Sequence, residues 1–147
     1  MSTVPNRRTL AIVKPDAVAA GKTGAILAHL EEGGFRVRAL RFLRLGLPQA
    51  EAFYAVHAGK PFFASLTKFM SSGPVLAMAL ERDGAVEHLR KVIGATDPKE
   101  AAPGTIRALY AESKERNAIH ASDSDATATA ELRFFFADLD WVPQGLE

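Results

Sequence analysis

The chain has 147 residues, about one ordinary domain, and its 48% hydrophobic and 24% charged residues give a globular composition rather than that of a disordered tail. Lys and Arg total 18 against 17 Asp and Glu, a formal charge of +1, so no global field steers the chain toward nucleic acid or an anionic membrane. The lack of cysteine excludes disulfides, thiolate metal sites and a cysteine nucleophile, and fits a reducing compartment.

Met1–Asn6 reads as a loosely held lead-in with no signal peptide, because the first apolar run, Leu10–Val13, is cut at once by Lys14. Thr9–Val13 is compact, apolar and rich in β-branched residues, a buried strand that Pro15 stops. Thr23–Glu32 places Ile26, Leu27 and Leu30 at helical spacing, and Gly33-Gly34 supplies the helix end. Phe35–Leu45 begins by alternating Phe35, Val37 and Ala39 with Arg36 and Arg38, a strand with one wet face. Pro48–Ala58 and Pro61–Met70 are predicted as two short helices with proline in the first turn.

Pro74–Leu80 is a second buried strand, followed by a helix over Asp83–Ile93 that Gly94 ends. The longest stretch free of charge and histidine, Phe69–Leu80, is too short and too interrupted by Ser71-Ser72-Gly73-Pro74 to cross a bilayer. Ala95–Tyr110 lacks a sustained period and is predicted as a long loop. Asn117–His120 is a short strand-like piece, and Ser122-Asp123-Ser124-Asp125 offers caps for a last helix over Ala126–Phe136. The order βαβααβα-loop-βα contains a βαββαβ core. It predicts one α/β (α+β) domain over residues 1–147: a ferredoxin-like sandwich with a mainly antiparallel four-stranded sheet, helices on one face, a helical insertion and a long loop.

Gly21-Lys22-Thr23 imitates the end of a phosphate-binding loop, but Asp16 stands where the first glycine of that motif belongs and would repel phosphate. A turn entering a helix explains it better. Arg36, Arg38, Arg41 and Arg44, with Phe35 and Phe42 between them, could form a single-stranded nucleic-acid surface. With net charge near zero, a solvated strand face or a subunit contact is the simpler reading. His29 and His88 read as surface residues on helices and His57 as a helix-end residue, none at zinc-ligand spacing. His120 differs, because Asn117, Ser122 and Asp123 flank it and could orient an imidazole or a ligand. Lys14, Arg90 and Arg107 have no obvious ion-pair partner nearby in sequence, and a phosphate group wants such cations. The residues alone reach a candidate anion site with one histidine able to act as acid, base or nucleophile.

From about Arg8 to Trp141 the chain resembles a nucleoside diphosphate kinase. The resemblance is carried by Thr9-Leu-Ala-Ile-Val-Lys-Pro-Asp16, by the stretch from Phe53-Tyr54 to Pro61-Phe62-Phe63, by Pro103-Gly-Thr-Ile-Arg107, and above all by Asn117-Ala-Ile-His-Ala-Ser-Asp123. It implies that the terminal phosphate of a nucleoside triphosphate, typically ATP, passes to a nucleoside diphosphate through a phosphohistidine on His120. A histidine, with an ordinary pKa of about 6.5, is mostly neutral and nucleophilic at pH 7. By the same resemblance Glu131 holds the other ring nitrogen, although the helical pattern alone reads it as a surface glutamate. Lys14, Arg90, Thr96 and Arg107 match phosphate-contacting positions, Asn117 with Lys14 matches the sugar contact, and Tyr54 and Ser122 match hydroxyls close to the histidine. Phe62 matches the base-stacking aromatic, with Leu66 nearby, where the pattern alone would allow Phe62 as a core residue and Phe63 takes that role. The implied cofactor is Mg²⁺ carried on the nucleotide phosphates, with no dedicated protein site.

The implied assembly is a homo-oligomer, tetramer or hexamer built from dimers, the short tail after Trp141 leaning toward the tetramer. The expected setting is cytoplasmic, with nucleotides as partners and neither membrane nor nucleic acid. Two departures from the family pattern stand out. Ala121 replaces the usual glycine after the histidine, which would cost stability if the backbone there needed positive φ. Ala108-Leu109-Tyr110 replaces Gly-Asp-aromatic after Arg107, which bears on loop shape and subunit contacts. The rival reading is a regulator that keeps the fold and binds nucleotide or single-stranded nucleic acid without catalysis; the set Lys14, Arg90, Arg107, Asn117, His120 and Glu131 argues against it.

Overall fold

A computed structural model describes residues 7–142 of the chain. Met1–Asn6 and the end of the tail after Trp141 lie outside the described residues. Four strands, β1 (Arg8–Val13), β2 (Arg36–Leu43), β3 (Val75–Glu81) and β4 (Ile119–Ala121), form an antiparallel sheet in the order β2-β3-β1-β4. Helices α2 (Thr23–Glu32) and α5 (Ala85–Ile93) complete the βαββαβ core, and α7 (Asp125–Phe135), followed by a 3₁₀ turn over Asp138–Asp140, comes after it. The antiparallel ferredoxin-like sheet is as the element order predicts.

The central strands β1 and β3 are buried almost throughout, and a strand buried on both faces reads as a continuous apolar run rather than an alternation. Ala11, Val13, Met78 and Leu80 pack against Ile26 and Leu30 of α2 and Leu89 and Ile93 of α5. Leu10, Ile12, Ala77 and Ala79 turn the other way, against Leu132 and Phe135 of α7 and Tyr54, Phe69 and Met70 of the β2–β3 insertion. Both faces are therefore covered, which corrects the expectation of helices on one face only. The insertion comprises α3 (Leu47–Phe53), a short 3₁₀ turn over Ala55–His57 and α4 (Phe63–Met70), so the predicted Pro48–Ala58 helix ends early at Phe53.

Two short helices depart from the sequence reading. Pro15 does end β1, but it also opens α1 (Pro15–Ala19), since proline at the first helical position has no N–H to lose. The stretch expected as loop up to Tyr110 closes with α6 (Ile106–Tyr110), capped by the Thr105 hydroxyl, which accepts from the Ala108 N–H. Gly21 and Lys22 lead into α2 as the turn reading expects.

In β2 the register slips between Val37 and Ala39, the mark of a bulge. The extra residue, Arg38, is buried and donates to Glu81 at 2.8 Å and to the Val142 carbonyl. Breaking a buried pair of this kind by removing one partner typically costs about 3–5 kcal/mol. Arg41 donates to the Phe135 carbonyl at 3.2 Å and Arg44 to that of Ser71 at 3.2 Å. Three of the four arginines thus make contacts within the fold, as the structural reading of that series expects and a free nucleic-acid surface would not. His29 and His88 are half-buried rather than surface residues: their Nε2 atoms reach the Gly104 and Gly33 carbonyls at 2.8 and 3.1 Å.

Gly94, at φ +88° and ψ 179°, lies in a region open essentially to glycine alone, and a Cβ there would sit 2.5 Å from the Thr105 hydroxyl oxygen. Its carbonyl also accepts from Arg107 at 3.1 Å. Gly94→Ala is expected to cost about 1–3 kcal/mol from backbone strain, with the clash in addition. Chemical denaturation against the wild type checks this; an unchanged midpoint would show that the turn relaxes freely.

Candidate active site

Strand β4 is only three residues long, and its alternation sorts the site from the core. Ile119 and Ala121 enter the cluster under α2 and α5, so His120 points to the opposite face, toward α3 and α7. Phe53 and Tyr54 meet its ring edge-on at centroid distances of 5.4 and 5.8 Å. Its Nε2 lies 2.8 Å from Glu131 Oε1, in the second turn of α7, and the Ser122 hydroxyl donates to the same oxygen at 2.8 Å.

A carboxylate can only accept, so this bond places the ring proton on Nε2 and leaves the Nδ1 lone pair free. Nδ1 has no hydrogen-bond partner among the described residues, and the side chain keeps 17% of its surface exposed. The Ser122 hydroxyl therefore meets Glu131 in this structure rather than the histidine itself. The Tyr54 hydroxyl is buried with no partner among the described residues, and burial, reinforced by the Glu131 charge, holds its pKa well above the ordinary phenol range. It stays a neutral donor.

The cations converge on the same short segment. Lys14, buried at the end of β1, donates from its backbone N–H to the Ala118 carbonyl at 2.9 Å and from Nζ to Asn117 Oδ1 at 2.8 Å. Arg107, in α6, donates to the Ile119 carbonyl at 2.8 Å. Arg90, on α5, pairs with Asp123 at 3.1 Å, a partner that sequence proximity does not suggest. Both of those side chains are well exposed, so the pair orients Arg90 more than it stabilises the fold. Asn117 also donates to the Thr96 carbonyl at 3.4 Å, while the Thr96 side chain stands exposed with no partner among the described residues.

Burial, helped by the neighbouring Arg107, pushes Lys14 down to about 8, against opposing pulls from Asp16 and Glu115. Burial, with Arg90 nearby, pushes Arg107 down to about 10. Cations crowded together in a desolvated place are poorly satisfied by the protein itself and suit an anionic ligand.

Phe62 precedes α4 and is 45% exposed, whereas Phe63 packs on the core, the division the sequence suggests. Lys60 lies over the Phe62 ring at 6.0 Å, the His57 ring is 5.4 Å away, and Leu66 follows one turn later, half-buried. Sequence reasoning missed the part of Phe53 against the histidine, and that of His57 between Tyr54 and Phe62. The only available signal was a cluster of rings within ten residues of Phe53. Ala121 lies in β4 without positive φ; the strained residue is Ala118, at φ +74°.

A ferredoxin-like sheet presenting a carboxylate-held histidine to buried cations defines a phosphoryl-transfer type of site. Residues 7–141 match the family model described as nucleoside diphosphate kinase. A nucleoside diphosphate kinase from Syntrophotalea carbinolica is 54% identical over 133 residues, covering 90% of this chain and 97% of that protein, and one from Staphylothermus marinus is 50% identical over 91% of this chain and 97% of its own length. The solved structure of the Aquifex aeolicus nucleoside diphosphate kinase superposes with a TM-score of 0.91 at 47% identity, covering 92% of this chain and 99% of the other. That of a Halobacterium salinarum nucleoside diphosphate kinase in complex with CDP gives 0.90 at 40% identity, over 94% of this chain and 92% of that one. The chain belongs to the nucleoside diphosphate kinase family, and it is an enzyme of nucleotide phosphotransfer. Among the described residues no helix is long and apolar enough to cross a membrane.

If charged Lys14 is a phosphate ligand, kcat/KM for the nucleotide falls as pH rises through about 8, where the free enzyme loses that proton. Lys14→Arg moves this alkaline limb upward. A profile flat to pH 9.5 in the wild type would remove Lys14 from phosphate binding.

Proposed function

We propose that the protein passes the terminal phosphoryl group of a nucleoside triphosphate, typically ATP, to a nucleoside diphosphate in two half-reactions through His120. The supporting observation is the Glu131 bond to Nε2, which leaves Nδ1 as the nucleophile beside the convergent cations. In the first half, the Nδ1 lone pair attacks the γ-phosphorus, the bond to the bridging oxygen breaks, and the diphosphate leaves with that electron pair. Phosphorylation makes the ring cationic, and the Glu131 carboxylate compensates that charge. In the second half, a terminal oxygen of another diphosphate attacks the same phosphorus and the N–P bond breaks, returning the neutral ring. One site serves donor and acceptor in turn, which gives ping-pong kinetics.

Charge in such a loose transition state spreads over the phosphoryl oxygens, so the work is positioning and electrostatics. Lys14, Arg90, Arg107 and the Thr96 hydroxyl are read as ligands of the phosphate chain, with the Tyr54 hydroxyl donating close to the reacting phosphorus. Asn117, with Lys14, holds the sugar, and the base stacks on Phe62 beside Leu66. Stacking accepts any base, because every base has a π-face. No three His, Asp or Glu side chains gather as metal ligands among the described residues. A divalent cation, in our reading Mg²⁺, would come with the nucleotide phosphates, and the charge it neutralised there would add to that of Lys14, Arg90 and Arg107.

The free edge of β2 leaves Leu40 and Phe42 exposed, an apolar strand edge that favours burial against another copy. This supports a homo-oligomer built from dimers, a tetramer or a hexamer. The cysteine-free sequence supports a cytoplasmic setting.

The test is a two-step chase. Protein incubated with Mg²⁺ and ATP labelled in the γ-phosphate, then freed of nucleotide, should carry acid-labile, alkali-stable phosphate that GDP discharges as GTP. His120→Ala should lose this while keeping its fold by circular dichroism. Substantial transfer by that variant would remove His120 from the role, and a folded wild type that binds ATP without phosphoenzyme would favour the regulator. Phe62→Ala should weaken nucleotide binding by roughly 1–3 kcal/mol; unchanged affinity would reduce Phe62 to packing.

A further inference from the structure

We infer that Asp16 is a positioning residue for the transfer, clamping a strained turn at Ala118 that sets both Asn117 and His120; this rests on the roles given to those two residues above. Ala118 is the one non-glycine residue with positive φ among the described residues, at +74°. The Ile119 N–H donates back across it to the Asn117 carbonyl at 2.9 Å, a three-residue γ-turn of the rare, strained hand. An alanine leaves such a conformation unless its surroundings over-determine it.

Residues 14–16 supply that determination. The Ala118 N–H donates to Asp16 Oδ2 at 3.1 Å, and the Ala118 carbonyl accepts from the Lys14 N–H at 2.9 Å. Asp16 sits in the first turn of α1, right after Pro15, and is buried although carboxyl groups are costly to bury. The turn has functional groups on both sides. Asn117, just before it, takes the Lys14 ammonium at 2.8 Å, and His120 follows two residues after it. Without the Asp16 acceptor the Ala118 N–H loses its partner, the turn relaxes toward negative φ, and Asn117 rotates relative to β4. In the sequence Asp16 breaks a phosphate-loop pattern and closes the Thr9–Asp16 motif, with no role of its own; the structure assigns it a task.

What the turn needs is an acceptor at one place, not a charge. Asp16→Asn keeps a carbonyl oxygen there and removes the charge. Asp16→Glu keeps the charge and moves the acceptor by one methylene. Asp16→Ala removes both. Expected kcat values, measured in the full chain with single-turnover phosphorylation of His120, place Asn within about threefold of wild type. Glu and Ala fall roughly 10- to 100-fold, the scale on which a misplacement of about 1 Å acts. KM for the nucleotide changes less than kcat in each.

Glu retaining more activity than Asn would overturn the inference in favour of a charge effect on Lys14. So would variants that lose thermal stability while keeping kcat, since that describes a merely structural residue. If Asp16→Ala does not fold, the order of Asn and Glu still decides. A wild type that forms no phosphohistidine would fail both this inference and the function it rests on. A wild type that does form it, with the order reversed, fails this inference alone.

Discussion

The short segment from Asn117 to Asp123 is the hub on which this site depends. Its backbone carbonyls take Lys14 and Arg107, its side chains take the Lys14 ammonium and Arg90, and His120 and Ser122 reach Glu131. Strand β4 is too short to hold itself, with three residues paired to β1 alone. It is fixed instead by what it fixes. Cations that repel one another are kept near one histidine because each is anchored to a different residue of one stretch of chain. That arrangement costs desolvation and charge repulsion, visible in the lowered proton affinities of Lys14 and Arg107, and an anionic ligand relieves both.

The remainder of the fold keeps this segment in place. Val13 and Ile12 pair with Ile119 and His120, and β1 is itself locked between β3 and β4 by apolar packing on both faces. His120 faces the side opposite α2 and α5, where α7 presents Glu131 and the β2–β3 insertion presents Tyr54 and, at its outer edge, Phe62. The insertion therefore does two things: it covers the second face of the sheet, and it brings the Phe53 and Tyr54 rings against His120.

Much of this was legible in the sequence, and the exceptions have physical causes. Thr9–Val13 and Pro74–Leu80 read as buried strands because a strand covered on both faces is apolar throughout. The same observation contradicts a one-faced sandwich, a consequence that element order alone hides. The helix over Thr23–Glu32 was readable to the residue, since its apolar period ends in two glycines. Helices α1 and α6 were not, because five residues carry no period and Pro15 was read as a stop when it is also a start. Of the site, the cations, Asn117 and His120 were visible as residue types suited to an anion. Glu131 was not visible by itself, since a glutamate on an amphipathic helix looks like any other surface charge. Resemblance supplied it, and the 2.8 Å contact to Nε2 gives it a physical basis. Asp16 and Phe53 stand in the sequence motifs, but their tasks were not legible because these lie in contacts across 102 and 67 residues of chain respectively.

The most direct test of the central claim is which ring nitrogen carries the phosphate. Protein labelled with ¹⁵N at histidine, phosphorylated by ATP and examined by ³¹P and ¹⁵N NMR, should show phosphorus bonded to Nδ1 of His120, with Nε2 still protonated. Phosphate on Nε2, or on another residue, would contradict the account, because the Glu131 bond that organises the site would then lie on the wrong side of the ring.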